Sequence, residues 1–263
     1  MNGLLKGKRG LIMGVANCHS IAWGISKVLA SSGAQLAFSY QGDSLKKRLL
    51  PLAAELGSDL ILPCDVEDEA SIDAMFEKIK DQWSSLDFVV HSIGFSDKNE
   101  LKGLYANTKR NNFSRTMLIS CFSFTEVAKR AADLMPNGGS MLTLTYGGSR
   151  KVIPNYNVMG VAKAALEASV IYLAADYGPQ NIRINAISSG PVRTLAGASI
   201  STGRSIFSWN KKNSPLRRTV SHEDLGNSAL YLLSNMSNGV TGEIHYVDCG
   251  YNIISMPKQD QAD

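Results

Sequence analysis

The sequence is poor in cysteine. Its four cysteines, Cys18, Cys64, Cys121 and Cys249, include no CxxC pair, and none stands at metal-ligand spacing from a histidine. This spacing argues against both a disulfide framework and a zinc site, so no metal is predicted. It favours free thiols in a reducing cytoplasm.

The sequence also lacks a strong charge of either sign. The chain carries 27 Lys and Arg residues against 23 Asp and Glu residues, a net charge of +4, with no dense basic block. This balance argues against a nucleic-acid partner. The first apolar run ends at Gly14 after about five residues, too short for the core of a signal peptide. We also predict that no apolar window reaches the ~18 residues of a membrane span.

The sequence does contain a regular alternation of short apolar runs and longer amphipathic stretches. Several runs are apolar on both faces, which is typical of parallel strands covered by helices. We therefore predict one α/β domain over 1–263, a doubly wound Rossmann-type fold with a seven-stranded parallel sheet flanked by helices. Strands are predicted at 9–15, 34–40, 59–65, 86–94, 139–146, 182–190 and 242–250. Helices are predicted at 20–33, 43–57, 69–83, 113–135, 156–178 and 222–235.

One segment interrupts this alternation. Residues 193–215 are rich in Ser, Gly and Asn and show no clear apolar period. Long irregular segments in compact domains are usually functional lids or disordered. We predict a substrate-binding lid at about 193–215.

The first predicted strand leads into GVANCHSIAWG, from Gly14 to Gly24, which opens a helix. A glycine turn at a helix N-terminus allows main-chain N–H groups and the helix dipole to meet a pyrophosphate. The spacing is not GxGxxG, so an ordinary turn with Ser20 as the N-cap stays an alternative.

Residues suited to a dinucleotide also follow the next three strands. Gln41 stands where an acidic residue often binds the adenosine ribose, and it does not neutralise a 2′-phosphate, so NADH is favoured over NADPH. Asp65 is placed to accept a hydrogen bond from the adenine amino group, although a surface or N-cap role is equally open. The fourth strand ends in Ser92, Ile93 and Gly94, and a glycine there permits close approach of a ligand to the main chain.

The segment YNVMGVAK contains two titratable groups, Tyr156 and Lys163. Seven residues are nearly two helical turns, so both side chains share a face, about 10 Å apart along the axis. An ammonium near a phenol is expected to lower the pKa of the phenol. A rigid phenol can donate to a developing oxyanion. A buried Tyr beside a snorkelling Lys is the alternative, and Tyr146 at the end of the fifth strand is either a third site residue or a packing residue.

These motifs together resemble the short-chain dehydrogenase/reductase superfamily and, within it, the NADH-dependent enoyl-acyl-carrier-protein reductases of bacterial fatty-acid synthesis. The similarity runs from residue 9 to about 254 and includes HSIGF, LTLTYGG, IPNYNVMGVAKAALEA, RINAISSGPVRTLA and TGEIHYVDCGYNI. Typical superfamily members have Tyr and Lys four residues apart, whereas position 160 here is Gly and the Lys is at 163. The longer gap and the second Tyr resemble the enoyl reductases. Cys249 stands where such relatives usually have Gly, and Gly203 where a larger apolar residue is common.

The resemblance implies a role for each matching residue. Tyr156 would hydrogen-bond the thioester carbonyl, Lys163 would hold the nicotinamide ribose, and Tyr146 would lie beside the substrate as a third catalytic residue. The implied cofactor contacts are Gly14, Ser20, Ile21, Gln41, Asp65, Val66, Ser92, Ile93, Gly94, Lys163, Val192, Arg193, Thr194, Leu195 and Ala196. The implied substrate contacts are Ser96, Tyr146, Tyr156, Met159, Ile200, Ile206 and Phe207.

The resemblance also implies a reaction and partners. The enzyme would reduce the trans-2 double bond of an enoyl thioester carried by acyl carrier protein, with Tyr156 as an oxyanion donor worth roughly 3–4 kcal/mol. A cytoplasmic homotetramer is expected. The basic residues Arg204, Lys211 and Lys212 of the lid would meet the acidic carrier, or else form a solvated surface.

Two other functions stay open at this point. A carbonyl reductase of the same superfamily, such as a 3-oxoacyl-acyl-carrier-protein reductase, normally needs the Lys four residues after the Tyr. A dinucleotide sensor without catalytic activity usually lacks the Tyr or the Lys, and this chain has both.

Overall fold

A computed structural model of the protein describes residues 3–192, 194 and 203–256. Seven strands form one parallel sheet in the order β3-β2-β1-β4-β5-β6-β7, which confirms the predicted fold class. The strands are β1 (Arg9–Met13), β2 (Gln35–Tyr40), β3 (Ile61–Pro63), β4 (Phe88–His91), β5 (Gly139–Tyr146), β6 (Ile182–Ser189) and β7 (Ile244–Val247). The α-helices are α1 (Ile21–Ser31), α2 (Gly42–Glu55), α3 (Glu69–Trp83), α4 (Arg110–Met117), α5 (Ser123–Asp133), α6 (Asn157–Tyr177), α7 (Gly203–Asn213) and α8 (His222–Leu233).

The sheet is covered on both faces because its central strands are apolar on both faces. On β1, Leu11 and Met13 belong to the core cluster that includes residues of α3, α5 and α6. Ile12, which points the other way, belongs to the cluster that includes residues of α1 and α8. Successive strand side chains point to opposite faces. The two cores therefore fix the sheet between two layers of helices, with the carboxyl ends of all strands at one edge.

The helix predicted at 113–135 is divided in the structure. Between α4 and α5 lies a π-helical turn, Leu118–Phe122. Such turns widen a helix locally and occur often at functional sites. The apolar pattern continues through the turn, so it does not reveal the extra residue. The turn places Ser120 toward the carboxyl edge of the sheet.

Part of the predicted lid is helical. Helix α7 was not predicted because its buried positions include asparagines and not only apolar residues. The side-chain amides of Asn210 and Asn213 donate to the main-chain oxygens of Ile206 and Trp209, one turn earlier. Both asparagines are buried. A polar inward face of this kind leaves no apolar period in the sequence.

Helix α6 corrects the hydropathy prediction. The segment Asn157–Gln180 has a mean hydropathy of 1.5 and is long and apolar enough to cross a membrane by length and composition. The prediction that no such window exists is therefore wrong. Half of this window is buried inside the protein, where α6 contributes Leu166 and Val170 to the core. Core helices of this kind meet the same criterion as membrane spans.

The cysteines are unpaired thiols, of which Cys18 is exposed and the other three are buried. Cys249 has a φ of 60°, in the left-handed region that favours glycine. This conformation gives a physical reason for the glycine that similar proteins usually carry there. Within the described ranges, no group of three or more His, Cys, Asp or Glu residues could hold a metal ion.

Candidate active site

Two adjoining cavities lie along the carboxyl edge of the sheet. The larger has a volume of about 870 Å³ and the smaller about 360 Å³, and Ile93, Gly94 and Thr194 line both. Predicted site residues in the larger cavity are Ile21, Ser92, Ser96, Tyr146, Tyr156, Met159, Lys163, Val192, Ile206 and Phe207. Those in the smaller cavity are Gly14, Ser20, Ile21, Gln41, Asp65, Val66 and Ser92. The predicted residues Arg193, Leu195, Ala196 and Ile200 lie outside the described residues.

The turn after β1 has the shape of a phosphate-binding loop. Gly14 has a φ of 95°, and a Cβ atom there would overlap the main-chain oxygen of Ser92. Ser20 occupies the N-cap position of α1, yet its side chain makes no capping hydrogen bond. Its Oγ instead accepts hydrogen bonds from the main-chain N–H groups of Ala16 and Asn17, at 3.0 and 3.1 Å. The simple N-cap interpretation of Ser20 is therefore wrong, because Ser20 shapes the loop instead of capping the helix.

At the far end of the smaller cavity, two strand-end residues meet. The side-chain amide of Gln41 donates to Oδ2 of Asp65 at 3.0 Å. The other carboxylate oxygen, Oδ1, accepts from the main-chain N–H of Glu67 at 3.0 Å. Gln41 directly follows β2, and Asp65 lies two residues after β3, the strand that pairs with β2. The structure thus brings together the two residues that the sequence assigns to the adenosine end of a dinucleotide.

The catalytic candidates meet at the carboxyl end of β5. Tyr156 immediately precedes α6 as its N-cap residue, and Lys163 lies in the second turn of the helix. The rings of Tyr146 and Tyr156 pack edge to face, with centroids 5.2 Å apart and planes at 76°. The Nζ atom of Lys163 donates to the main-chain oxygen of Leu144 at 2.8 Å. All three side chains line the larger cavity.

Two glycines make room for Tyr156. A Cβ atom at Gly148 would lie 2.5 Å from Cδ1 of the Tyr156 ring. A Cβ atom at Gly160 would lie 2.6 Å from the main-chain oxygen of Gly148. Position 160 is the one at which typical superfamily members carry their lysine. Any side chain there would push against the turn after β5, and the lysine that lines the cavity comes from position 163.

The ionisation of these groups follows from their burial. Burial raises the pKa of Tyr156 well above its ordinary value, with smaller contributions from Tyr146 and Glu167. The prediction that the lysine lowers the pKa of Tyr156 is therefore wrong, because desolvation of the phenolate dominates. Burial also raises the pKa of Tyr146 to about 12 and lowers that of Lys163 to about 8. At neutral pH both phenols are neutral donors and the amine is an ammonium.

Several residues that shape the larger cavity were not predicted from the sequence. Ser120, in the π-helical turn, accepts a hydrogen bond from the main-chain N–H of Phe95 and donates to its oxygen. Thr116 donates to Oγ of Ser96 at 2.9 Å, and the side-chain amide of Asn112 donates to the same atom at 3.3 Å. These contacts fix the loop after β4. The only signal in the sequence is the polar character of residues 110–117, which also fits a solvated helix.

Arg115 lies between the two cavities. Its guanidinium forms a two-point ion pair with Glu67, each N···O distance being 2.7 Å. The same group stacks on the ring of Phe95, 4.6 Å from its centroid. Hydrogen bonding to Glu67 raises the pKa of Arg115, which lines both cavities.

The doubly wound parallel sheet, the glycine turn at α1 and the Tyr–Lys pair at the carboxyl edge define a dinucleotide-dependent oxidoreductase. Residues 14–252 match the family model described as Enoyl-(Acyl carrier protein) reductase. The chain is 74% identical to Enoyl-[acyl-carrier-protein] reductase [NADH] 2 of Rhizobium meliloti (strain 1021), over 98% of this chain and 96% of that protein.

Solved structures agree with this match. The crystal structure of FabI from Candidatus Liberibacter asiaticus has a TM-score of 0.96 and 72% identity, covering 98% of this chain and 100% of that one. The reductase of Anaplasma phagocytophilum, solved in complex with NAD, has a TM-score of 0.95 and 56% identity, covering 98% and 99%. The chain belongs to the enoyl-(acyl carrier protein) reductase family.

Proposed function

We propose that this protein is an NADH-dependent enoyl-acyl-carrier-protein reductase, which reduces the trans-2 double bond of enoyl thioesters in the elongation cycle of fatty-acid synthesis. The observation that carries the proposal is the pair of edge-to-face tyrosines, Tyr146 and Tyr156, beside the ammonium of Lys163 in one cavity. The pair supplies neutral donors, and the ammonium supplies a fixed cation.

The residues present fit a dinucleotide. Gly14 holds the left-handed turn, and the start of α1 carries no side-chain cap, so a pyrophosphate can meet main-chain N–H groups and the positive end of the helix. Gln41 and Asp65 would hold the adenosine, and Lys163 the nicotinamide ribose. Lys163 uses one of its three N–H groups on Leu144, which leaves two for ribose hydroxyls. NADPH is the less favoured cofactor, because a 2′-phosphate would lie near the carboxylate of Asp65.

When bound, NADH supplies a hydride to the β-carbon of the enoyl thioester. Negative charge then moves to the thioester oxygen, and Tyr156 donates a hydrogen bond to that oxygen. A raised pKa suits this role, because the phenol keeps its proton at neutral pH and stays a donor. Tyr146 packs on the ring of Tyr156 and limits its orientation. The α-carbon takes up a proton in a later step.

The acyl chain would occupy the apolar part of the larger cavity. Met159, Ile206 and Phe207 line it, and the last two are on α7 within the lid predicted at about 193–215. Closure of such a segment over the chain would exclude water from the reacting bond.

Acyl carrier protein is the proposed partner. Lys211 and Lys212 in the last turn of α7 are exposed, beside the segment that would cover the acyl chain. Charge complementarity to an acidic carrier raises association rates and is screened by salt. The KM of a carrier-linked substrate should therefore rise with ionic strength more than the KM of a CoA-linked substrate. The same salt response for both would rule out this contact.

We also propose a homotetramer in the cytoplasm. Exposed apolar side chains on α4 and α6 support association, among them Ile171 and Tyr172 at 53% and 75% exposure. Unpaired thiols support a reducing compartment. Light scattering measures the mass in solution, and a monomer would contradict the assembly.

The activity itself is tested by comparing crotonyl and acetoacetyl thioesters. The decrease in NADH absorbance reports turnover of either substrate. We expect rapid oxidation of NADH with the crotonyl thioester and little with the acetoacetyl thioester. The reverse preference would establish a carbonyl reductase, and binding of NADH without turnover of either substrate would establish a dinucleotide sensor.

A further inference from the structure

Glu167 is a buried carboxylate for which the proposed mechanism has no role. It lies one helical turn after Lys163 on α6 and is 2% exposed. Burial of a carboxylate is unfavourable unless hydrogen bonds satisfy it. Three side chains donate to this one. Thr145 donates to Oε1 at 2.8 Å, Ser149 donates to the same oxygen, and Nε of Arg150 donates to Oε2 at 2.7 Å.

These donors come from the segment that carries and supports the two tyrosines. Thr145 immediately precedes Tyr146 at the end of β5. Ser149 belongs to the 3₁₀ turn Gly147–Ser149, in which Gly148 leaves room for the ring of Tyr156 because a Cβ atom there would overlap it. The carboxylate therefore holds both the strand residue next to one tyrosine and the turn beneath the other.

The lysine is held separately. Lys163 donates to the main-chain oxygen of Leu144, while Glu167, one turn later, accepts from the side chain of Thr145. Successive turns of α6 thus hold successive residues of β5. A change at Glu167 should disturb the tyrosines and leave the anchor of the cofactor-binding lysine in place.

The ion pair with Arg150 does not by itself explain a carboxylate at this depth. The Arg150 side chain is 58% exposed, and ion pairs with one solvated partner contribute little to stability. The hydrogen bonds from Thr145 and Ser149 are on the buried side of the carboxylate. They connect it to the site and not to the surface.

We propose that Glu167 is a positioning residue, which orients Tyr146 and Tyr156 toward the substrate by holding Thr145 and Ser149 against α6. This inference deepens the proposed function and rests on it. In the proposed mechanism Glu167 touches neither substrate nor cofactor. It acts by keeping the phenol of Tyr156 where charge develops on the thioester oxygen.

The test compares two variants of Thr145, one that lacks the side-chain hydroxyl and one that keeps it. Thr145→Val removes the donor with little change of shape, and Thr145→Ser keeps it. With full-length enzyme at neutral pH, kcat for a crotonyl thioester should fall about tenfold or more in Thr145→Val, because small misplacements of a catalytic group have large effects on rate. Thr145→Ser should keep nearly the wild-type kcat. The Kd of NADH, measured by fluorescence, should stay within about twofold in both, since Leu144 still holds Lys163.

Glu167→Gln should lower kcat to a similar extent as Thr145→Val. The matched control is Ser169→Ala on the same helix, where the hydroxyl donates to the main-chain oxygen of Ala165, lies 3.6 Å from Sγ of Cys121 and does not donate to the tyrosine segment. This control should leave kcat and Kd unchanged. If Glu167→Gln does not fold, the Thr145 pair alone decides.

A readout independent of activity separates this inference from the proposed function. In NMR spectra of protein with labelled tyrosine, assigned with Tyr146→Phe and Tyr156→Phe, Thr145→Val should shift the signals of both rings. Thr145→Ser should not. Unshifted rings and an unchanged kcat in Thr145→Val would overturn the positioning role. A wild-type enzyme that reduces no enoyl thioester would overturn the proposed function, and the ring shifts would still decide the role of Glu167.

Discussion

The Nζ atom of Lys163 lies 2.8 Å from the main-chain oxygen of Leu144, at the carboxyl end of β5. This hydrogen bond holds a buried ammonium at the edge of the sheet where a nicotinamide ribose would bind. Burial lowers the pKa of Lys163 to about 8, and Cys121 and Glu167 partly oppose the shift. The lysine is therefore protonated at neutral pH but close to losing its charge.

A pH dependence of NADH binding follows. The ammonium donates to the ribose only while protonated, so the Kd of NADH should rise as the pH increases through about 8. The groups around the amine do not change their protonation near that pH. His91 is neutral because its pKa is lowered to about 3, and burial raises the pKa values of Cys121 and Tyr156. Fluorescence titration across this range measures the effect.

The control for the pH experiment is Lys163→Met. This variant should bind NADH weakly at every pH and show no transition near the pKa of the lysine. A transition of the same size in both proteins would assign the titration to another group.

A substitution of Gly14 is expected to reduce both the stability of the fold and the binding of the cofactor. Gly14→Ala places a Cβ atom against the oxygen of Ser92 and forces a left-handed conformation on alanine. Gly57 has a φ of 67° with nothing within 4 Å of its would-be Cβ, so Gly57→Ala introduces only the backbone strain, about 1–2 kcal/mol. We expect Gly14→Ala to lose more stability than Gly57→Ala in urea unfolding, and to lose NADH binding as well. Equal effects of the two substitutions would show that the close contact with Ser92 does not matter.

Because of His91, we expect the free energy of unfolding to fall in acid. Its ring is fully buried between Ser123 and Thr143, and burial, assisted by Lys163, lowers its pKa from 6.5 to about 3. Between these values the unfolded chain binds a proton that the folded chain does not. The free energy of unfolding should therefore fall as the pH drops below 6.5, by up to about 1.4 kcal/mol per pH unit.

The comparison that isolates the contribution of His91 uses His91→Gln, which replaces the imidazole with an amide that does not titrate. Urea unfolding of both proteins between neutral pH and about pH 5 gives the difference, because the carboxylates common to both cancel. The variant should lose less stability over this interval than the wild type. Parallel curves would mean that His91 does not titrate on unfolding.

The predicted and observed structures differ where polar contacts replace apolar ones. Continuous apolar runs predicted every strand of the sheet, because parallel strands must be buried on both faces. Helix α7 was missed since Asn210 and Asn213 form part of its inward face. Glu167 was missed because a single Glu on an apolar helix gives no sign that three donors surround it. The pKa of Tyr156 was predicted in the wrong direction, because a sequence shows which charges are near a group but not how deeply the group is buried.

In the proposed function Tyr156 stabilises charge on the substrate and Lys163 binds the cofactor. Steady-state and binding measurements on Tyr156→Phe and Lys163→Ala, made in parallel with a crotonyl thioester and NADH, separate these two roles. We expect Tyr156→Phe to lower kcat about a hundredfold or more, as for loss of an oxyanion donor, with the Kd of NADH nearly unchanged. Lys163→Ala should raise the Kd of NADH. Equal losses of turnover and of NADH binding in both variants would contradict this division of roles between Tyr156 and Lys163.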